Sequence, residues 1–334
     1  MRSASKVPLG PAEVRALIDA HLGARASSVR ELGDGMYNAA YRIDFPHRAA
    51  VVLKVAPPDD SPCLTYEQSL MRSEAAYFGH ARALAPVPEV LAADFSRRVV
   101  DRDVLILSHL PGAPMQKMRR KLTPTQRAGV RSELGASVAR LHGVRGSMFG
   151  YERLDGSSEL SGQTWPVAFS RMWDAVLEDS RRYGVELGVG TARLRVVLDE
   201  NLPLLAAVEE ASLVHFDLWD GNVFASVQDG RAGLSGIIDG ERMFWGDPLA
   251  DLVSTSLFRD PAADTAFNRA YVAAGGRRWL FDDVERRRLA LYNAYICMLM
   301  LAEAAPRRYR GVVSTLTKRY VRVRLRAAVR SLSS

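Results

Sequence analysis

The 334-residue sequence predicts an α+β protein of two unequal lobes. A small β-sheet lobe over residues 1–110 precedes a larger, mainly helical lobe over 111–334. Three observations carry this. Short apolar runs rich in Val, Ile and Leu cluster before residue 110. Pro111-Gly112 then interrupts the pattern. Beyond it, long segments with apolar residues at helical spacing take over.

The elements follow in order. Residues 11–23 (PAEVRALIDAHLG) have Pro at the start and Gly at the end of a helical pattern. Residues 37–44 and 49–56 (AAVVLKVA) read as strands joined by a turn at Phe45-Pro46-His47. After the loop PPDDSP, a helix is expected from Leu64 to Leu84. Strands are expected at 87–91 and 103–107. Residues 123–142 carry an apolar stripe at Val130, Leu134, Val138 and Leu141, with a capping Thr in front. Helices at 165–184 and 191–208 follow, then strands at 213–215 and 234–238 flanking a hairpin near Gln228-Asp229-Gly230. The remainder reads as helical. Trp165, Phe169 and Trp173 lie at helical spacing and read first as packing, with the lining of a ligand cleft as the second reading.

Composition narrows the function classes. Hydrophobic residues make up 48% and charged residues 25%, ordinary for a globular chain and too apolar for disorder. Two cysteines exclude a disulfide framework and a cysteine-built zinc site, and fit a reducing, cytoplasmic setting. The first ten residues have no apolar core, so no secretory leader is expected. No apolar stretch is long enough for a membrane span. The net charge is +7, unevenly spread. Residues 277–334 hold 14 Lys/Arg against 4 Asp/Glu, and the rest holds 31 against 34. The basic character therefore belongs to the C-terminal region. There Val313, Leu316, Tyr320, Val323 and Ala327 recur at helical spacing. This predicts an amphipathic helix docked through that stripe with a basic outer face, rather than a nucleic-acid-binding arm.

The densest chemistry lies between Leu213 and Asp251. LVHFDLWDGNVFA and SGIIDGERMFWGDPLADL contain His215, Asp217, Asn222 and Asp239, each at or just beyond the end of an apolar strand. Asp217 and Asn222 are five residues apart across a tight loop, so both can face one pocket. Phosphoryl transfer needs these residue types. A carboxylate orients the attacking hydroxyl, and an Asn oxygen with a second carboxylate holds Mg²⁺ against nucleotide phosphates.

His-x-Asp-x-x-x-x-Asn, a strand-terminal Asp, and Gly246-Asp247-Pro248-Leu249-Ala250-Asp251-Leu252 resemble the aminoglycoside phosphotransferase family. That family also includes choline, homoserine and fructosamine kinases. The resemblance implies a protein-kinase-like fold and a small-molecule kinase, with Mg²⁺ as cofactor and ATP or GTP as co-substrate. The acceptor would be a hydroxyl of an aminoglycoside or another sugar-containing antibiotic, or else a primary metabolite of the choline, homoserine or sugar type. A non-catalytic nucleic-acid-binding protein is the alternative from a different class. Only seven residues, Gly240 to Gly246, separate Asp239 from Asp247. That leaves no room for a protein kinase's activation segment.

The resemblance assigns Asp217 as the catalytic residue and Asn222 and Asp239 as metal ligands. It implies a strand lysine that meets the nucleotide phosphates and pairs with a helix glutamate. Lys54 is the lone charge in AAVVLKVA; Glu74 and Glu67 are its candidate partners, with Glu74 deeper in the helix. Gly33 and Gly35 in LGDGMYN would let backbone approach the triphosphate. Ser108 C=O and Leu110 N–H would meet the purine. Asp220 and Asp247 are candidate substrate contacts, and Trp219 could border the acceptor. His215 is read mainly as a brace for the loop, with a direct catalytic role as the second reading. Phe216 and Gly240 depart from the family's usual small and aromatic residues there, which bears on pocket shape.

Overall fold

The computed structural model describes residues 6–33, 35, 37–152 and 159–333. Its first helix, α1 (Pro11–Leu22), is closed by Gly23 at φ 56°, a left-handed cap that glycine adopts without strain. Five strands follow: β1 (Ser28–Glu31), β2 (Ala39–Asp44), β3 (Val51–Val55), β4 (Val90–Asp94) and β5 (Val104–Ser108). They form one antiparallel sheet in the order β1-β2-β3-β5-β4. α2 (Leu70–Ala81) lies between β3 and β4 in the chain.

Both faces of this sheet are covered, which is why β3 is nearly all apolar. Val51, Leu53 and Val55 join Val14, Leu17 and Ile18 of α1 in a small core of their own. On the opposite face Leu105 and Leu107 merge with α2 and with the helical lobe in one large core. The two lobes therefore share apolar packing along α2.

Three elements of the sheet lobe depart from expectation. β1 was not legible, because SVRE is an exposed edge with little alternation. The strand expected at 87–91 begins at Val90, past Pro86 and Pro88. The helix expected from Leu64 is broken. Thr65–Glu67 makes one 3₁₀ turn, Ser69 sits at φ 63°, and α2 starts at Leu70. Glu67 is held there by one local and one tertiary bond: its carboxylate accepts from Leu64 N–H at 2.7 Å and pairs with Arg307.

The second lobe begins with a short β6 (Ala113–Pro114) and α3 (Met115–Met118), then α4 (Pro124–His142). Thr123 caps α4, its hydroxyl accepting from Gln126 N–H at 3.2 Å, and the expected stripe is buried. β7 (Phe149–Gly150), β8 (Ser161–Gly162), α5 (Trp165–Arg182), α6 (Thr191–Asn201) and β9 (Ser212–Val214) follow. Next come the hairpin β10 (Val223–Gln228) and β11 (Arg231–Ile237), then β12 (Phe244–Gly246) and α7 (Leu249–Ser256). α8 (Thr265–Ala273), α9 (Asp283–Ala302) and α10 (Val312–Leu332) complete the chain. Trp165, Phe169 and Trp173 are fully buried in the core. β6 pairs with β10 beyond Gly112, where φ is 84° and a Cβ would lie 2.1 Å from Ala225 O. Only glycine fits there. No helix among the described residues is long and apolar enough to cross a membrane.

α10 forms as expected but docks through the other face. Val321, Leu325, Ala328, Val329 and Leu332 are buried against the lobe. Val313, Leu316, Tyr320 and Val323 are instead 66%, 59%, 50% and 50% exposed. Arg322 and Arg326 donate to the carbonyls of Glu186 and Gly188 at 2.8 and 2.9 Å, which helps fix this rotation.

Candidate active site

The loop after β9 is built around Asp251 of α7. Its carboxylate accepts from His215 N–H at 3.1 Å, Phe216 N–H at 2.6 Å and the His142 ring at 3.0 Å. Ser254 Oγ accepts from Leu218 N–H at 3.0 Å. Phe216 takes φ 61° and sends its ring into the core against Phe244 and Tyr295. Its bulk therefore does not enter the cleft. His215 Nδ1 accepts from Asp217 N–H at 3.1 Å, so Nε2 carries the proton and donates to Ile238 O at 3.0 Å. The ring thus ties the Asp217 loop to the end of β11.

Asn222 closes the loop. Its Nδ2 donates to Asp217 O at 2.9 Å and to Asp217 Oδ2 at 3.0 Å. With both amide hydrogens spent on Asp217, its Oδ1 is left as an acceptor. Burial raises the pKa of Asp217 from its ordinary value, with Arg242 pulling the other way. Arg242 Nη1 lies 3.3 Å from Asp217 Oδ1.

Asp239 follows β11 in a left-handed conformation, φ 65°. Lys54 Nζ reaches Asp239 Oδ1 at 2.8 Å and Glu74 Oε2 at 2.5 Å. Burial disfavours the ammonium, but Asp239 and Glu74 outweigh it and raise its pKa. Burial likewise pushes Asp239 up, and Lys54 outweighs it, so Asp239 lies below its ordinary value. Glu74 is raised by burial against the pull of Lys54. Glu241 is pushed up to about 8 by burial and by Asp239, and accepts from Asn38 Nδ2 at 3.0 Å. Glu74, Asp239 and Glu241 bring carboxylate oxygens within 4.8 Å of one another, a concentration of acid that suits a cation. Gly240 is required by packing: a Cβ there would lie 2.1 Å from the Tyr77 ring. Tyr77, on α2, fills the space an aromatic at 240 would take.

These groups line one cleft of about 540 Å³ between the sheet and α9–α10. Lys54, Asp217, Asn222 and Asp239 all border it, as do Gly35 and Trp219. Glu74 stands behind Lys54. Glu67, the other candidate partner, is taken by Arg307.

Other expected residues are placed elsewhere. Asp247 is 2% exposed and fully engaged. It accepts from Leu249 N–H at 3.0 Å, Arg288 at 3.0 Å and Tyr292 OH at 2.7 Å. It holds the lobe together and does not face the cleft, so its expected substrate contact is corrected. Asp220 is not among the cleft residues either; its carbonyl accepts from Gln116 N–H at 2.8 Å. Gly33, Ser108 and Leu110 lie outside the cleft lining. Ser108 ends β5, exchanging bonds with Glu89 through its N–H and its hydroxyl, both at 2.9 Å. Asp34 and Met36 of the glycine-containing loop lie outside the described residues.

A buried ionic network was not legible in the sequence. Arg242 donates to both oxygens of Glu303, at 2.7 and 2.9 Å. Glu303 also accepts from Tyr66 OH at 2.6 Å and pairs with Arg307 at 2.9 Å. Arg307 in turn pairs with Glu67. The only sequence signal was the i, i+4 spacing of Glu303 and Arg307.

A two-lobe fold with an Asp–Asn loop beside a Lys–Glu–Asp cluster defines a kinase-like phosphotransferase. The profile of the phosphotransferase enzyme family matches residues 28–292, and the chain belongs to that family. It is a phosphotransferase acting on hydroxyl groups of small molecules. A 4-hydroxytryptamine kinase of Psilocybe cubensis is 24% identical over 288 residues, covering 75% of this chain and 74% of that one. Among solved structures, a candidate fructosamine-3-kinase of Thermobifida fusca superposes with a TM-score of 0.68 at 22% identity, covering 97% and 99% of the two chains. A thermostable mutant of the aminoglycoside phosphotransferase APH(4)-Ia, with AMP-PNP and hygromycin B bound, gives 0.61 at 21% identity, covering 96% and 98%. At these identities the structural likeness concerns the fold.

Proposed function

We propose that this chain transfers the γ-phosphoryl group of ATP to a hydroxyl of a small organic acceptor, with the nucleotide held mainly by residues 1–110. The observation that carries this reading is the meeting of Asp217, Asn222, Lys54 and Asp239 on one cleft, with Glu74 behind Lys54. Asp217 orients the acceptor hydroxyl and receives its proton as the acceptor oxygen bonds to the γ-phosphorus. The bond from the γ-phosphorus to the β–γ bridging oxygen breaks, and ADP leaves. Lys54, positioned by Glu74, meets the α/β-phosphates. Asn222 Oδ1 and the Asp239 carboxylate would hold Mg²⁺. The spent Nδ2 of Asn222 and the nearby acid cluster fit a hard cation that prefers oxygen ligands. When bound, that ion would neutralise phosphate charge. The acceptor range carried forward is a sugar-containing antibiotic or a hydroxylated metabolite. His215 acts as a brace, since both ring nitrogens are spent on backbone groups.

Two measurements test this reading. Calorimetry should show nucleotide binding that requires Mg²⁺ and weakens in Asp239→Ala. A coupled ADP-release assay over a panel of hydroxyl compounds should show turnover of small molecules. Equal nucleotide affinity in EDTA would remove Asn222 and Asp239 from the metal site. Labelling of generic proteins without turnover of any small hydroxyl compound would overturn the reading.

A further inference from the structure

On the acceptor side of the cleft the acids are already spent. Glu303 is bound by Arg242, Arg307 and Tyr66. Glu67 behind it is bound by Arg307. Asp217 itself is shared between Asn222 and Arg242. Among the described residues no other carboxylate borders this half, since the remaining cleft acids, Asp239 and Glu241, sit beside Lys54 and Asn38. A polycationic acceptor would therefore bring several ammonium groups to a wall where, among the described residues, no unpaired acid is left to receive them. Each would lose hydration without compensation and face Arg242, Arg307 and Lys318.

The cations on this wall are not equally satisfied. Arg307 is buried and Arg242 partly so, and they are matched by Glu67 and Glu303. Arg307 Nε is nevertheless buried with no hydrogen-bond acceptor among the described residues. Lys318 of α10 is half-buried and lines the cleft, yet among the described residues its ammonium reaches only the carbonyl of Tyr309, at 3.3 Å. No carboxylate lies within ion-pair distance of it among the described residues. The cleft that holds both Lys318 and Asp217 also has apolar lining, with Trp219, Leu257, Ile296, Met300, Ala304 and Val321 among its residues. Such a wall is suited to a hydrocarbon or aromatic body.

Resting on the kinase reading above, we propose that the acceptor is a hydroxyl compound with an apolar body and a single anionic group, a carboxylate or sulfate, received by Lys318. It is not a polycation. Lys318 is then a specificity residue on α10, remote in sequence from the Asp217 loop. The hydroxyl lies at Asp217, the body on the apolar wall, and the anion at Lys318.

The test compares binding of three probes that share one aromatic body: 3-(4-hydroxyphenyl)propionate, its amide, and tyramine. Kanamycin is the polycation. Affinities are measured by calorimetry on the full chain loaded with ADP and Mg²⁺. The propionate is expected to bind about ten-fold more tightly than its amide, the size of one charge-assisted contact. Tyramine should bind more weakly than the amide, and kanamycin should not compete. In Lys318→Met the propionate-to-amide ratio should fall to about one, and in Lys318→Glu tyramine should become the preferred probe. Three results would each overturn the proposal. These are tighter binding of tyramine or kanamycin than of the propionate, an unchanged ratio in Lys318→Met, and no saturable binding of the aromatic probes. ADP affinity in the same preparations separates the two levels of inference. If ADP with Mg²⁺ does not bind, the kinase reading itself fails; if it binds and one of the three results is seen, only the acceptor class fails.

Discussion

Arg242 touches Asp217 with one end of its guanidinium, Nη1 to Oδ1 at 3.3 Å, while Glu303 grips Nη2 with both carboxylate oxygens. The forked clamp leaves the guanidinium little freedom, so a positive charge is fixed beside the carboxylate that would orient the acceptor. That charge opposes the effect of burial, which raises Asp217.

Arg242→Met should therefore shift the acid limb of the kcat/KM profile to higher pH. The sign follows from the cause. In the proposed role Asp217 acts ionised, so rate is lost as pH falls through its pKa. Removing Arg242 raises that pKa further and the loss begins earlier. Arg242→Lys should return part of the shift. A profile that keeps its acid limb in Arg242→Met would separate the two residues.

Asp217→Ala and Asp217→Asn should lose about two orders of magnitude or more in kcat, with nucleotide binding largely kept. The Asn variant keeps the shape of the side chain and tests for the charge. Near-native turnover in either variant would sink the assignment.

Lys54→Ala and Glu74→Ala should be non-additive in kcat/KM, because the 2.5 Å pair acts as one positioning element. A double-mutant cycle measures the coupling. Glu67→Ala should instead act through Arg307 and lower stability, since it leaves a buried guanidinium short of a partner. A thermal melt reads that difference.

Gly240→Ala should destabilise the chain by about 1–3 kcal/mol, the usual range for forcing volume into a packed site. The added methyl would strike the Tyr77 ring, whose edge also packs on His215 at 4.9 Å between centroids. The same variant should therefore lower kcat by disturbing the brace under Asp217. Unfolding in urea and turnover report the two effects separately. Native values for both would remove Tyr77 from this role.

The family was legible because its chemistry is contiguous along the chain. His215, Asp217 and Asn222 lie in one loop, and Asp239 and Gly246-Asp247-Pro248 follow closely. Lys54 stood out as the single charge in an apolar strand, a placement that demands a partner. Helix α4 was readable from its cap and stripe, since both signals are local. Asp247 shows the limit of such reading. Its motif was visible, but whether the carboxylate faced the cleft or the core depended on Arg288 and Tyr292, more than forty residues on.

What the sequence determined by itself, then, is the fold class, the order of the chemical groups, and the loops that carry them, because local pattern and spacing encode these. Tertiary structure alone decided which partner each buried charge takes. Lys54 meets Glu74, while Arg307, from the far end of the chain, holds Glu67. It also decided the rotation of α10, whose sequence offers one apolar stripe through Val313, Leu316 and Tyr320 and another through Val321, Leu325 and Val329. Helical period describes both stripes equally well. Only the surface waiting on the helical lobe, with the carbonyls of Glu186 and Gly188 to receive Arg322 and Arg326, selects between them.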